Sequence, residues 1–315
     1  MTMRPRLALS SLLLLGLASS GSALAGTLKL ADATASSETH DDSGVSYAAK
    51  NVKDGKQGTA WFEGDDGSGL GSWVQVNLDG EQTVTGFQIW NGYWLTYDMW
   101  QRNNRVKDLE VELADGTKQS FTLKDDMKPE EVHFPSPVKT SSLKFRIKGI
   151  YSGNTFNDTA ISEVRVFDDK AEDYLAPTAY TASTTYPADT DGDYGPDNVG
   201  DAILDSMWCE GDKAGDGTGQ WLQVDFGGSK KVGRLVMING NADSFGAFMK
   251  ANSATSATLT FSDGTTQAIT VKPTLMEQTI TFGPKTSSSV RITFDEVRKG
   301  EEFNDLCISE ARFYP

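Results

Sequence analysis

The chain has 315 residues, 44 of them acidic and 29 basic, for a formal charge of −15 with histidine neutral. A surface this acidic is repelled by phosphate backbones and by anionic lipid headgroups, so nucleic acid is not an expected partner and membrane binding is disfavoured. Neutral sugars, cationic surfaces and calcium stay open.

The first 25 residues read as a secretory signal peptide: Arg4 and Arg6, the short apolar run LALSSLLLLGLA, then small residues ending in SALA at Ala25. The apolar run is too short to span a bilayer. No cysteine follows it, so no lipid anchor is expected. Loss of Arg4 and Arg6 takes the formal charge to −17. The mature chain is expected to be soluble and secreted or periplasmic.

From there the periodicity is that of strands. WVQVNL, VTGFQI, LEVEL, SFTL, EVHF, LKFRI and ISEVRVF alternate or run apolar, with Gly, Asp or Pro between them. The series then repeats as WLQVDF, VGRLVMI, ATLTF, TQAITV, QTITF, VRITF and ISEARF, with ADG and SDG as hairpin turns at matching places. Phe303 lies 147 residues after Phe156, and Trp208 lies 147 after Trp61; one inserted residue makes the offset 148 between Trp73 and Trp221. A period this long marks tandem domains, since solenoid repeats run at roughly 20–50 residues. The expected fold is all-β: one sandwich over residues 26–169, a linker over 170–180, and a diverged second sandwich over 181–315.

The motifs of repeat one, in order, are YAAKNVKDG, TAWFEG, GLGSWVQVNL, GFQIWNGY, NNRVKDLEVELADG and NDTAISEVRVF. Together they resemble the NADase-type glycan-binding domain, also called the NAD glycohydrolase translocation domain. That domain is related to discoidin and coagulation-factor type C domains, with a galactose-binding-like jelly roll. Repeat two keeps W-x-E-G, G-x-G-x-W, NG and ISE but has ANSATSATL in place of NNRVK. The resemblance implies a non-catalytic companion domain, binding glycan or else assisting the assembly or translocation of a secreted or envelope protein.

No catalytic constellation stands against that. His40 and His133 lie in different segments, and no serine occupies a G-x-S-x-G turn. GSGLG and GDGTG precede strands and do not join a strand to a helix, so a phosphate loop is not expected. DTDGDYGPD, from Asp189, mimics a calcium loop but has Gly200 at its twelfth position, where a glutamate is needed.

For sugar binding the residues of interest are in WNGYWLTYDMWQRNNR. Aromatic faces pack on sugar C–H surfaces while amide, carboxylate and guanidinium groups bond the hydroxyls. Asn91, Tyr93, Trp94, Trp100 and Arg105 are the candidates, with Glu63 as a hydroxyl acceptor on the same rim. The competing reading makes Tyr93 and Trp100 filling at the end of the sandwich. For calcium, the resemblance implies Asp54, Thr59 and Glu163 as structural ligands in repeat one and Asp201, Ser206 and Glu310 in repeat two. Turn-capping aspartates and Glu–Arg pairs with Arg165 and Arg312 are the alternative, and Ala202 in place of Gly55 weakens the second loop.

The two cysteines, Cys209 and Cys307, both fall in repeat two. In an exported protein two cysteines of one domain are expected to pair, with two buried free thiols as the alternative. Their counterparts in repeat one are Phe62 and Ala160. If the cysteines are bonded, Phe62 and Ala160 should touch.

Overall fold

The computed structural model describes residues 25–40, 45–56, 58–171, 174–189, 192–201, 203 and 206–315. The expected signal peptide, up to residue 24, and Ala202 lie outside the described residues. Repeat one comprises β1 (Ala25–Thr27), β2 (Leu30–Ala35), β3 (Trp61–Phe62), β4 (Trp73–Asn91), α1 (Tyr97–Arg102), β5 (Arg105–Leu113), β6 (Lys118–Thr122), β7 (Glu130–Tyr151) and β8 (Ala160–Ala171). Repeat two comprises β9 (Ala179–Ala182), β10 (Trp208–Cys209), β11 (Trp221–Asn239), α2 (Phe245–Lys250), β12 (Ser253–Phe261), β13 (Thr266–Thr270), β14 (Thr274–Arg298), β15 (Cys307–Ile308) and β16 (Glu310–Tyr314). Among the described residues no helix is long and apolar enough to cross a membrane.

Both repeats are antiparallel sandwiches of the jelly-roll type. The first has the order β1-β8-β4-β7-β5-β6, with β2 added to β4 and β3 to β8; the second has β13-β12-β14-β11-β16, with β9 on β11 and a separate β10–β15 pair. Runs that alternate separately in the sequence join here into long bent strands. WVQVNL and VTGFQI are the two halves of β4, whose register against β7 breaks between Asn77 and Gln82. Gly80 makes that bend at φ +82°, and Gly227 does the same in β11 at φ +68°. The first half of β4 then takes β2 as neighbour and the second half takes β8. One bonded sheet thereby supplies both layers around a core of Val74, Val76, Phe87, Ile89, Phe145 and Ile147. Strand β8 runs to Ala171 and β9 begins at Ala179, so the sheets reach into both ends of the 170–180 segment.

The ADG and SDG turns form as expected. Gly116 and Gly264 sit at φ +85° and +81°, and the Asp115 and Asp263 carboxylates each accept the N–H two residues on, at 2.9 Å.

Cys209 and Cys307 form a disulfide, as directly opposed partners of β10 and β15. Phe62 and Ala160 are directly opposed in β3 and β8. The contact is covalent in one copy; in the other Phe62 packs with Ala160 and edge-on against Tyr47 and Tyr93. Duplication explains why the position recurs.

A third apolar cluster lies between the repeats. Trp90, Trp94, Trp100 and Met127 of the first pack with Ile238, Ala242, Phe245, Phe248, Leu275 and Met276 of the second. At the 148 offset Trp90, Trp94, Trp100 and Met127 correspond to Ile238, Ala242, Phe248 and Leu275. The same surface of each copy thus meets its counterpart, the geometry of a two-fold dimer realised inside one chain. One carboxylate serves both copies: Glu277 lies 3.6 Å from Arg165 of repeat one and 3.2 Å from Arg312 of repeat two. Lys128 and Asp243 close the edge at 2.6 Å.

Candidate functional site

The NGYWLTYDMW segment is built from the end of β4. Gly92 has φ +92°, and a Cβ there would meet Arg105 Cγ at 2.6 Å and Trp100 Cδ1 at 2.8 Å, so only glycine lets the chain turn against those side chains. Thr96 caps α1, its hydroxyl accepting the Met99 N–H at 3.1 Å. The Asn91 carbonyl accepts both indole N–H groups, from Trp94 and from Trp100, each at 2.9 Å. Its side-chain amide clips Val106 through both N–H and C=O, at 2.8 and 2.7 Å. Arg105 bonds the Asp125 carboxylate through Nε and Nη2, donates from Nη1 to the Asn103 carbonyl, and lies 4.5 Å over the Trp100 ring.

This arrangement corrects the expectation of an open aromatic sugar face. Trp94 is 0% exposed, Trp100 6%, Tyr93 5%, Asn91 3% and Arg105 6%. The polar atoms of Asn91, Trp94, Trp100 and Arg105 are engaged internally, and the two tryptophans pack with repeat two. Glu63 is also fully buried. It ties two loops together by accepting the N–H groups of Asp65 and Thr159, at 3.0 and 3.2 Å, and burial raises its pKa. Asn103 and Asn104 serve the backbone: Asn104 bonds the Asn157 carbonyl at 2.5 Å and accepts the Gly153 N–H at 2.8 Å.

Within the NGYWLTYDMW segment Tyr97 stays 49% exposed, stacked on Trp100 at 5.9 Å; further exposed aromatic surface lies elsewhere on the same sandwich. The N–H groups of Asn154, Thr155 and Phe156 bond carbonyls at the end of α1, which seats the 152–159 loop and leaves the Phe156 ring 40% exposed. The Arg102 guanidinium lies 4.8 Å over that ring. Asp65, Asp66 and Leu70 line the adjoining loop, tied in by the Thr159 hydroxyl bonding the Ser68 carbonyl at 2.8 Å. Repeat two repeats the pattern, with Phe303 49% exposed and Lys250 at 5.9 Å from its ring. The sequence signal was an apolar residue kept in both copies of a polar loop, GNTFND and GEEFND.

The calcium candidates of repeat one come together. The Thr59 hydroxyl donates to Asp54 at 2.9 Å, and the Gly55 N–H donates to Glu163 at 3.2 Å. Burial, with the Asp54 charge adding to it and Arg165 opposing, pushes Glu163 up to about 8. Two neighbouring carboxylates, a hydroxyl and loop carbonyls are a hard-cation donor set. Among the described residues no three His, Cys, Asp or Glu side chains group as metal ligands, so carbonyls and water would have to complete it. In repeat two Ser206 donates to both oxygens of Asp201, at 2.9 and 2.8 Å. Glu310 is buried 3.6 Å from Arg312 Nε.

Against known proteins, the model of the NAD glycohydrolase translocation F5/8 type C domain matches residues 25–167 and again 173–314. The chain belongs to that family, in two tandem copies. No curated protein matches it. Among solved structures it is similar to the CBM32-1 and CBM32-2 domains of Clostridium perfringens ZmpB in complex with GalNAc, at 12% identity over 91% of each chain and TM-score 0.36. It is also similar to a fucolectin from Morone saxatilis serum, at 16% identity over 90% of this chain and 94% of that one, TM-score 0.32. A Clostridium perfringens CBM32 domain in complex with GalNAc-β-1,3-galactose matches 43% of this chain and 94% of its own, at 19% identity and TM-score 0.34.

Proposed function

We propose that this is an exported, non-catalytic glycan-binding protein whose sugar contact in repeat one is the rim around Phe156 and Arg102. The observation that carries the reading is a half-exposed aromatic ring held under a guanidinium, beside amide and carboxylate side chains, at the loop end of a type C sandwich. Such a rim offers a C–H stacking face together with hydroxyl partners. Against catalysis, His40 is bonded to the Glu38 carbonyl, while His133 pairs with Glu131 two residues before it on β7. Phe156→Ala is expected to weaken the best glycan-array hit at least tenfold in titration calorimetry. Binding equal to that of the unaltered chain would overturn the assignment. The family description names translocation, which favours a second reading as a companion of a translocated protein. An array without signal, beside a partner recovered stoichiometrically, would select it.

Calcium in repeat one belongs to the same proposal, held by Asp54, Glu163 and loop oxygens and serving structure. What supports it is the buried Glu163 carboxylate, whose ionisation burial opposes and the Asp54 charge beside it opposes further. Glu163 is raised from 4.5 to about 8, so without metal its contribution to stability is full below 4.5 and is lost as pH rises through about 8. Calcium binds the ionised form and offsets that loss. The gap between melting temperatures in calcium and in chelator should therefore widen from pH 5 to pH 8, and Glu163→Gln should close it. Melting curves that coincide in calcium and chelator at pH 8 would remove the metal from the account.

A further inference from the structure

The two repeats hold a guanidinium in the same place by different means. In repeat one Arg105, on β5 opposite Tyr151 of β7, lies 4.5 Å over Trp100. In repeat two β12 has Ser253 at that position, and the opposite residue of β14 is Arg298. Arg298 reaches back to the Ser253 hydroxyl at 2.7 Å and lies 4.5 Å over Phe248, the counterpart of Trp100. The cation has moved to the neighbouring strand and kept its aromatic seat.

Its carboxylate has not been kept. Arg105 is neutralised by Asp125 at 2.8 Å. The 148 offset holds just before that position, where Leu123 N–H bonds the Lys107 carbonyl as Val271 N–H bonds that of Thr255. Two residues on, Asp125 is replaced by Pro273. Among the described residues Arg298 forms no ion pair. Its Nη2 is taken up by Phe248 and Ala251 carbonyls as well as Ser253, while Nη1 has a single long contact, 3.4 Å to the Lys299 carbonyl. Burial pulls this guanidinium below its ordinary pKa, with the Glu301 charge only partly opposing it.

Arg298 and Pro273 both line an open cleft of about 460 Å³ between the repeats. Lys56 of repeat one and Lys272 of repeat two are the other charged residues of its lining, and no carboxylate is among them. Neither lysine forms an ion pair among the described residues. In a chain with 44 acidic and 29 basic residues, a lining with cations alone marks a place built for an anion. Leu95, Phe248 and Pro273 supply apolar wall.

We propose that this cleft binds an acidic saccharide, its carboxylate lying on Arg298 where repeat one carries Asp125. The sugar part rests on the glycan-binding reading above; the anion part rests on the missing carboxylate. The test restores that carboxylate. An oligogalacturonate and a neutral oligosaccharide of equal length are titrated by calorimetry into the full chain, into Pro273→Asp, and into a control carrying K230E and K231E. Those two lysines are exposed on β11 outside the cleft lining. The expected result is uronate binding that falls at least tenfold in Pro273→Asp and holds in the control, with the neutral sugar weaker throughout. Uronate binding that Pro273→Asp leaves unchanged would overturn the proposal, and so would equal binding of the two sugars or no uronate binding by the full chain. These failures are separate from failure of the rim, which is read as an array hit retained by Phe156→Ala.

Discussion

Trp94→Ala should destabilise the chain by about 3–5 kcal/mol, the range for removing a large buried aromatic from a packed core. Three features make this the most damaging substitution expected in repeat one. The side chain is 0% exposed. Its indole N–H bonds the Asn91 carbonyl at 2.9 Å, a bond that alanine cannot make. It also stands in the apolar cluster that joins the repeats, so the cavity opens at the seam and not within one sandwich. Because that apolar seam is shared by both repeats, they should melt together in the unaltered chain, and the substitution should split the transition. Denaturant titration followed by tryptophan fluorescence reads both effects. A loss below about 1 kcal/mol with an unsplit transition would mean that Trp94 is not packed between the repeats.

Removal of the Cys209–Cys307 disulfide is the second large effect. The bond closes 98 residues, for which loop-closure entropy predicts about 4–5 kcal/mol, with measured values commonly nearer 2–4. Cys209→Ser with Cys307→Ser should cost repeat two an amount of that order, seen as a lower denaturation midpoint that added reductant does not change further. The duplicated geometry extends the prediction to repeat one. Phe62 and Ala160 are opposed there just as the cysteines are, so Phe62→Cys with Ala160→Cys should oxidise to a second disulfide. The gain would be offset by loss of the Tyr47–Phe62–Tyr93 ring contacts, centred 4.8 and 5.0 Å apart. Peptide mapping without reduction tests both statements. Free thiols at 209 and 307 in exported protein would refute the first.

The parts of this molecule legible in its sequence are those that local pattern specifies. Alternation found the strands, Asp-Gly found the hairpins, and the 147 offset found the duplication and the Phe62–Ala160 contact. The joining of WVQVNL to VTGFQI was not legible, because DGEQT reads as a turn when it is a bend within one strand. The burial of the expected sugar residues was not legible, for a physical reason. Trp94 and Trp100 are what a sugar face needs, and they are equally what a domain interface buries, while Tyr93 packs inside repeat one against Phe62; only tertiary structure decides between these outcomes. Phe156 marks the repeat in the sequence but not a binding rim, because a lone apolar residue in a polar loop carries little signal until its exposure is known. The move from Arg105 to Arg298 was hidden for another reason. The pair Arg105–Tyr151 becomes Ser253–Arg298, which a linear alignment scores as two unrelated substitutions.

The measurement that bears most directly on the whole account is a crystal structure of the full chain with its best array saccharide bound. Sugar is expected against the Phe156 ring and the Arg102 guanidinium, with Trp94 and Trp100 still packed against Phe245 and Phe248 of repeat two. A sugar stacked on Trp94 or Trp100, with the two repeats drawn apart to admit it, would contradict it.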